Sequence, residues 1–527
     1  MKKLLTLILV LAMISCGKSP NKNTLNISYS IDPPTFDPRK TGHFVDSTMS
    51  FKLFAGLSSI RKDGSVGPGL AKSYEVNKDR TVYTFHLRDA VWSDSTPITA
   101  YDFEKSWKKI IDPTFPSLTS KLFFCIKNAE KAANNKVPID EVKINALDEK
   151  TLRVELEYPT PYFISLTAFC AYYPAPSHIV EKDPTWAQNP KEDFVCSGPF
   201  KMIKWTPKKE IIVEKNPLYW DKDNVKLEKI RIYIVNDQNT ALQMFEQNEL
   251  DLIGTPVSPM PFHAEAAYSN NERLKKMPIA GTAFITFNTK YHPLSNSNIR
   301  KAISYSIDRD LLVKTITYSN QTPAKRLIPP PLEDNLGDYL IPNHNKELAQ
   351  KFLQKGLEEL NLKKEDISIT LNYPNNDLDK KTSEAIQRQI KDSIGLDIKI
   401  VEQDFVSHMG KVRAHKHQMA IARWIFQYND MMNIYARFSQ ESDPVNYSQW
   451  VNNDFVALLD RANNLSNQKQ RYQALLDAEK IFMDDLPVAP LYHLNYLMMN
   501  QKQLKNVIIG EVGDIHFHFA QLDQEVL

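Results

Sequence analysis

Glycine is scarce in this chain, 15 of 527 residues against 32 prolines, and neither a P-loop nor a GxGxxG is present to cradle a nucleotide phosphate. Cysteine is scarcer still, four in all, with no CxxC pair. That excludes a structural zinc ribbon and a dense disulfide framework. Apart from Cys16 the cysteines are Cys125, Cys170 and Cys196, so the count leaves room for one bridge and one free thiol. No charge excess exists either: Lys+Arg 65 against Asp+Glu 63 gives +2, which points to no nucleic acid and to no anionic surface as partner. No G-x-S-x-G, HExxH or S-x-x-K block lies in an activating context, so the chain is not read as an enzyme. After the first residues no stretch is apolar for the ~20 residues a membrane-spanning helix needs.

What is present begins with an export signal. Lys2 and Lys3 precede an apolar run, Leu4 to Ile14, that is too short to span a bilayer and ends at Ser15-Cys16-Gly17. A small residue directly before cysteine resembles the bacterial lipoprotein cleavage site, which implies lipidation of Cys16 and a membrane tether through that lipid. Residues 1–23 are therefore read as signal peptide and tether, the part after Cys16 being polar and flexible. The composition of the rest, 42% hydrophobic and 24% charged, is that of a soluble globular protein of several domains.

Along the mature chain, Leu25 to Tyr29 alternates as a strand, and Ser47 to Leu57 has helical apolar spacing. Tyr74–Val76 and Val82–Leu87 read as an antiparallel pair turning at Asn77–Arg80. Thr99 caps a helix to Ile111, with Asp102 where a capping-box acid belongs. Further on, helices are expected at Ile299–Val313, Lys346–Leu360, Thr382–Ile394 (stopped at Gly395), Asn453–Ala462 and Lys469–Met483, and strands at Ile367–Asn372 and Ile398–Val401. Alternating strands and helices argue for an α/β fold on a parallel or mixed sheet.

Several of these stretches carry a resemblance. Leu70-Ala71-Lys72-Ser73-Tyr74, Asp79 to Arg88 and Trp92-Ser93-Asp94-Ser95-Thr96-Pro97 are followed by Ser197-Gly198-Pro199-Phe200, Asn216-Pro217-Leu218-Tyr219-Trp220, Glu249 to Leu252 and Asn298 to Arg309. Together they resemble the extracytoplasmic peptide-binding proteins of ABC importers. Ser95 stands where that family usually has glycine, and the turn is expected to take a different φ. Trp92, Arg88, Asn216, Trp220 and Asp308 are read as holding turns and packing, not ligand.

The resemblance implies a two-lobed periplasmic-binding-protein-like α/β fold with an extra inserted domain and a ligand cleft between the lobes. The expected division is 24–68 and 195–287 in the first lobe, 69–194 as the inserted domain, 288–498 as the second lobe and 499–527 returning to the first. It also implies short peptides as ligands, ABC permease subunits as partners, a monomer, no cofactor, no metal, and a periplasmic or cell-surface, lipid-anchored location.

The candidate site is Met419 to Asp430, a β-branched and aromatic run that breaks at Asn429-Asp430 and so places Trp424, Gln427 and Tyr428 near a strand end. In the family a W-x-x-D element here pairs its aspartate with the peptide's ammonium; this chain reads Trp424-Ile425-Phe426-Gln427, an acceptor without charge. Asp430, three residues on, is the alternative source of that charge. By resemblance Thr41, Gly42 and His43 face Arg423, Trp424 and Ile425 across the ligand, held as an added strand; Arg423 either pairs with a ligand carboxylate or is solvated. The competing reading is a metal chelate, haem or an N-blocked peptide on the same fold. His408, His415 and His417 are its candidate ligands, but their strongly basic surroundings favour solvated histidines.

Overall fold

Thr24–Tyr29 (β1) lies inside a ten-stranded sheet. A hairpin of Ser58–Ile60 (β2) and Val66–Pro68 (β3) follows. Ala71–Val76 (β4), Val82–Leu87 (β5), Ile144–Asp148 (β6) and Thr151–Glu155 (β7) then form a separate antiparallel sheet in the order β4-β5-β7-β6. The chain returns to the large sheet with Phe200–Thr206 (β8), Glu210–Lys215 (β9), Lys229–Ile234 (β10), Leu252–Gly254 (β11) and Leu274–Phe287 (β12). Ile369–Pro374 (β13), Ile398–Gln403 (β14), Met419–Ile425 (β15) and Val488–Asn500 (β16) complete it. This computed structural model describes residues 23–317, 320–332, 341–510 and 512–523; Cys16 and the export segment lie outside them.

The large sheet has the order β14-β13-β15-β12-β16-β11-β1-β10-β9-β8. It is mixed: β1 runs parallel to β10 and β11, and β13 parallel to β14 and β15, while β12 is antiparallel to both neighbours. Two long strands, β12 with 14 residues and β16 with 13, join its two ends. Leu274–Pro278 pairs with β16 near β11, and Thr282–Thr286 pairs with it beside β15. Between Pro278 and Thr282 the register slips, an irregularity that bends and twists a strand. Both strands are almost continuously apolar and buried over Ile279–Phe287 and Val488–His493, as expected where both faces of a sheet are covered.

Local signals and distant contacts share the boundaries. Thr99 and Asp102 cap the helix Ala100–Ile111 as read, with Thr99 N donating to Asp102 at 2.9 Å; its apolar stripe of Phe103, Trp107 and Ile110 is fully buried. The helix expected over Ser47–Leu57 is instead Phe44–Leu53. It starts early because the Asp46 carboxylate accepts from His43 N at 2.9 Å. It stops early because the Leu53 carbonyl accepts from Ser197 N at 3.0 Å and Gly198 N at 2.8 Å. A Cβ on Gly198 would lie 2.5 Å from Leu53 C and Phe54 N, which explains the glycine of the Ser197-Gly198-Pro199-Phe200 motif.

The single helix expected over Ile299–Val313 is broken into Ser297–Tyr305 and Arg309–Leu312. Arg309 is the reason. Its guanidinium is buried and donates to Ser304 O and Ile307 O at 3.2 Å and to Pro490 O at 2.7 Å, while Asp308 caps the second piece through Leu311 N. The structural roles expected of the other motif residues hold: Arg88 lies 3.9 Å over the Trp220 ring and Asn216 donates to Gly198 O at 2.9 Å. Ser95 takes φ 72°, the left-handed region that favours glycine, so serine accepts that conformation and does not change it. No bridge forms among Cys125, Cys170 and Cys196; all three are buried free thiols, each pushed up to about 12 by burial.

Candidate ligand cleft

β15 begins inside the sheet and ends outside it. Met419 to Ala422 are buried, Arg423 to Ile425 half-buried. One edge pairs with β12 throughout, but β13 pairs only with Met419 and Ala420. From Ile421 on, the other edge has no strand beside it among the described residues. One of its carbonyls is taken: His408 Nε2 donates to Ile421 O at 2.9 Å. Phe426 N returns to Ala280 O at 2.8 Å, and the chain then turns through residues 427–430.

Each candidate residue has an intramolecular partner that the sequence did not disclose. Arg423 forks onto Asp379, with Nη1 to Oδ2 at 2.9 Å, and also reaches the Tyr492 hydroxyl. Burial disfavours its charge, and Asp379 more than restores it. It is therefore paired, with its side chain still 30% exposed, and is not available to a ligand carboxylate without giving up Asp379. Trp424 Nε1 donates to Asn433 Oδ1 at 2.7 Å, and Asn433 Nδ2 donates to Gln427 Oε1 at 3.1 Å, so Gln427 is fixed by its own turn. The Arg437 guanidinium lies 3.6 Å over the Trp424 ring. Ile425 packs beside Gly281, where a Cβ would come within 3.2 Å of its side chain.

Asp430, the alternative source of the charge missing at Gln427, is already paired within the chain. Arg471 donates to both its oxygens at 2.8 Å, in a pair whose side chains are 11% and 7% exposed. Burial lowers the Arg471 guanidinium and Asp430 more than reverses it. Tyr428 stacks on Tyr162 at 4.2 Å with rings 13° apart, and Arg471 lies 5.9 Å from the Tyr162 ring. Tyr162 belongs to the chain segment of the small sheet, so stack and ion pair tie the turn after β15 to that segment. Lys121 to Asp443 at 2.7 Å is a second such tie.

Thr41, Gly42 and His43 form the entry to the helix Phe44–Leu53. Thr41 Oγ1 donates to Pro38 O and accepts from the Cys170 thiol, and the backbone N–H groups of Gly42 and His43 both point at Asp46. Gly42 is held against Leu118, whose side chain a Cβ would meet at 2.4 Å. Among the described residues these three share no hydrogen bond or ion pair with Arg423, Trp424 or Ile425. The space that the turn does face is a cavity of about 60 Å³ lined by Gln427, Tyr428 and Asn429 and, opposite, by Phe51, Ser165, Phe169, Gly510 and Asp514.

Two of the three histidines are buried and the third, His415, is half-buried. His408 and His417 are 1% and 2% exposed, and among the described residues no group of three or more His, Cys, Asp or Glu side chains is arranged to hold a metal. His415 Nε2 donates to Asn446 O at 3.1 Å. Burial, with His415 and His408 adding to it, pulls His417 down to about 3. What sequence reasoning missed was Asp379, Asn433, Tyr162, Arg471 and Asp514. Only Asp379 carried a local signal, Asn376-x-x-Asp379 at the start of the helix Asp377–Ile394.

A mixed sheet bridged by two long strands, with a half-open strand ending over a cavity, defines a two-lobed solute-binding fold. The profile of the bacterial extracellular solute-binding proteins, family 5 middle region, matches residues 65–446, and the chain belongs to that family. It is 36% identical over 534 residues to the oligopeptide-binding protein OppA of Bacillus subtilis (strain 168), covering 98% of each chain. To the dipeptide-binding protein DppE of the same organism it is 31% identical, covering 96% of this chain and 93% of the relative. Among solved structures, Listeria monocytogenes OppA bound to peptide superposes with a TM-score of 0.79 at 28% identity over 96% of this chain and all of that one. Haemophilus influenzae OppA in complex with RPPGFSPFR gives 0.83 at 24% identity, over 96% and 99%.

Proposed function

We propose that this protein is an exported, non-enzymatic binding protein that captures short peptides between its lobes and hands them to an ABC permease. The observation that carries this reading is the one-sided end of β15: on the edge away from β12, backbone from Ile421 onward has no strand beside it among the described residues, and the chain then leads to the cavity that Gln427 lines. An extended peptide added to such an edge is held by main-chain hydrogen bonds, which tolerate many sequences. The relatives named for oligopeptide and dipeptide binding support the same ligand class.

Closure of the lobes over the ligand is the proposed mechanism, with the long strands β12 and β16 as the joint and the closed form as what the permease reads. The lobe boundaries expected above are part of this reading, as are a monomeric state and a lipid anchor at Cys16 supported by the Lys2-Lys3 start and the apolar run before it. The test is thermal unfolding with added ligand. Short peptides at about a hundred times their Kd should stabilise the protein by about 2.7 kcal/mol; stabilisation by nickel or haem with no response to any peptide would replace the reading with the metal-chelate one.

A further inference from the structure

The cavity that faces the turn after β15 has an uneven charge inventory. Among its described lining residues there is one carboxylate, Asp514, and no lysine, arginine or histidine. The walls beside it are the Phe51 and Phe169 rings, and the polar groups that open onto it come from Ser165, Gln427 and Asn429. Within the described residues Asp514 pairs only with His516, whose Nε2 donates to Oδ2 and whose ring lies 4.5 Å from that of Phe51. Among the described residues no guanidinium or ammonium pairs with it.

The other acids near the turn are already engaged. Asp430 holds both arms of Arg471, and Asp46 holds the backbone N–H groups of Gly42 and His43. Asp514, by contrast, is set in place by its own turn: Gly510 N donates to Asp514 O at 2.8 Å, and Gly513 takes φ 86°. A Cβ on Gly510 would lie 2.0 Å from Asp514 Oδ1, so glycine there is what lets the carboxylate lie against the backbone. A carboxylate whose side chain is 10% exposed and whose described partner is a histidine, not a fixed cation, beside aromatic walls that themselves favour a cation, has room for a further positive partner.

We infer that this cavity takes a positively charged group of the bound ligand, an ammonium, and that Asp514 is the residue that selects it. The inference rests on the peptide reading above and specifies one end of the ligand. A volume of about 60 Å³ admits an ammonium with part of the alkyl chain that carries it. Ser165, which lines the same cavity, carries a hydroxyl oxygen that can accept one of its remaining protons. Two sources have this chemistry, a free peptide N-terminus and a lysine side chain.

Calorimetric titration of the parent, Asp514→Asn and Asp514→Glu proteins with three peptides of equal length decides the matter: a lysine-free peptide with a free N-terminus, its N-acetylated form, and an N-acetylated peptide containing lysine. In the parent, at least one ammonium-bearing peptide should bind tenfold or more tighter than the N-acetylated, lysine-free one, and which of the two does so names the source. Asp514→Asn should abolish that preference, with Asp514→Glu restoring part of it. A parent that binds all three peptides alike overturns the inference without recourse to any variant, and so does an Asp514→Asn protein that keeps the preference. A parent that binds none of the peptides brings down the peptide reading itself.

Discussion

Removing the Asp430 side chain separates two roles that the sequence alone allowed. In the structure Asp430 accepts two 2.8 Å bonds from Arg471 and caps the next turn through Met432 N at 2.9 Å. Asp430→Ala leaves a guanidinium that is 7% exposed without its carboxylate and with the Tyr162 ring 5.9 Å away. Breaking a buried pair from one side costs about 3 to 5 kcal/mol, and the lost cap adds about 1 kcal/mol. Replacing both partners, Asp430→Ala with Arg471→Met, should recover most of the pair's share, because the uncompensated charge is then gone. Urea unfolding of the parent, both single variants and the double variant gives the cycle, and titration with free and N-acetylated peptides gives the binding side. The expected result is a large stability loss in Asp430→Ala with any change in affinity shared by both peptides. An Asp430→Ala protein as stable as its parent that fails only with the free-amine peptide would refute the assignment and make Asp430 the ligand's counter-charge.

His417 predicts a pH dependence. Its folded pKa, about 3, lies below the usual value of about 6.5, so its contribution to stability is present above about 6.5 and is lost as pH falls toward 3. Between pH 7 and pH 5 the loss is about 2 kcal/mol. His417→Phe should therefore flatten the urea midpoint over that range relative to the parent, and an unchanged slope would contradict the buried neutral ring. Gly198→Ala forces a methyl against Leu53 and Phe54 backbone and should destabilise by about 1 to 3 kcal/mol or more; a melting temperature equal to the parent's would show that the junction yields. The thiols of Cys125, Cys170 and Cys196, held near 12, should resist an aromatic disulfide reagent at pH 8 until the protein is unfolded, and rapid modification of the native protein would contradict their burial.

Elements whose ends are set by their own neighbours were legible. Thr99 with Asp102, and Gly395 at φ 69° after Ile394, needed nothing from afar, and Lys346–Leu360 appeared with both its boundaries. Elements whose ends are set elsewhere were not. The helix Phe44–Leu53 is cut by Ser197 and Gly198, more than 140 positions later, and Arg309 divides its helix by binding carbonyls of that helix and of Pro490. The site divides in the same way. The strand and its ending before the Asn429-Asp430 turn followed from residue types, but whether an acid or a base there is free depends on partners such as Asp379 for Arg423 and Arg471 for Asp430. A run of three histidines among lysines read as solvated because local charge was the only guide, whereas burial of His408 and His417 is decided by the sheet above them.

The central claim is that a peptide's backbone, more than its side chains, is what the open edge of β15 holds. Its most direct measurement is the equilibrium affinity of one peptide against the same peptide with alternate backbone nitrogens methylated, which removes strand-forming donors and keeps every side chain. Methylation in one of the two alternating registers should cost tenfold or more in affinity, and exchanging the side chains at those positions should cost less. Equal affinity for the parent peptide and both methylated registers would contradict it.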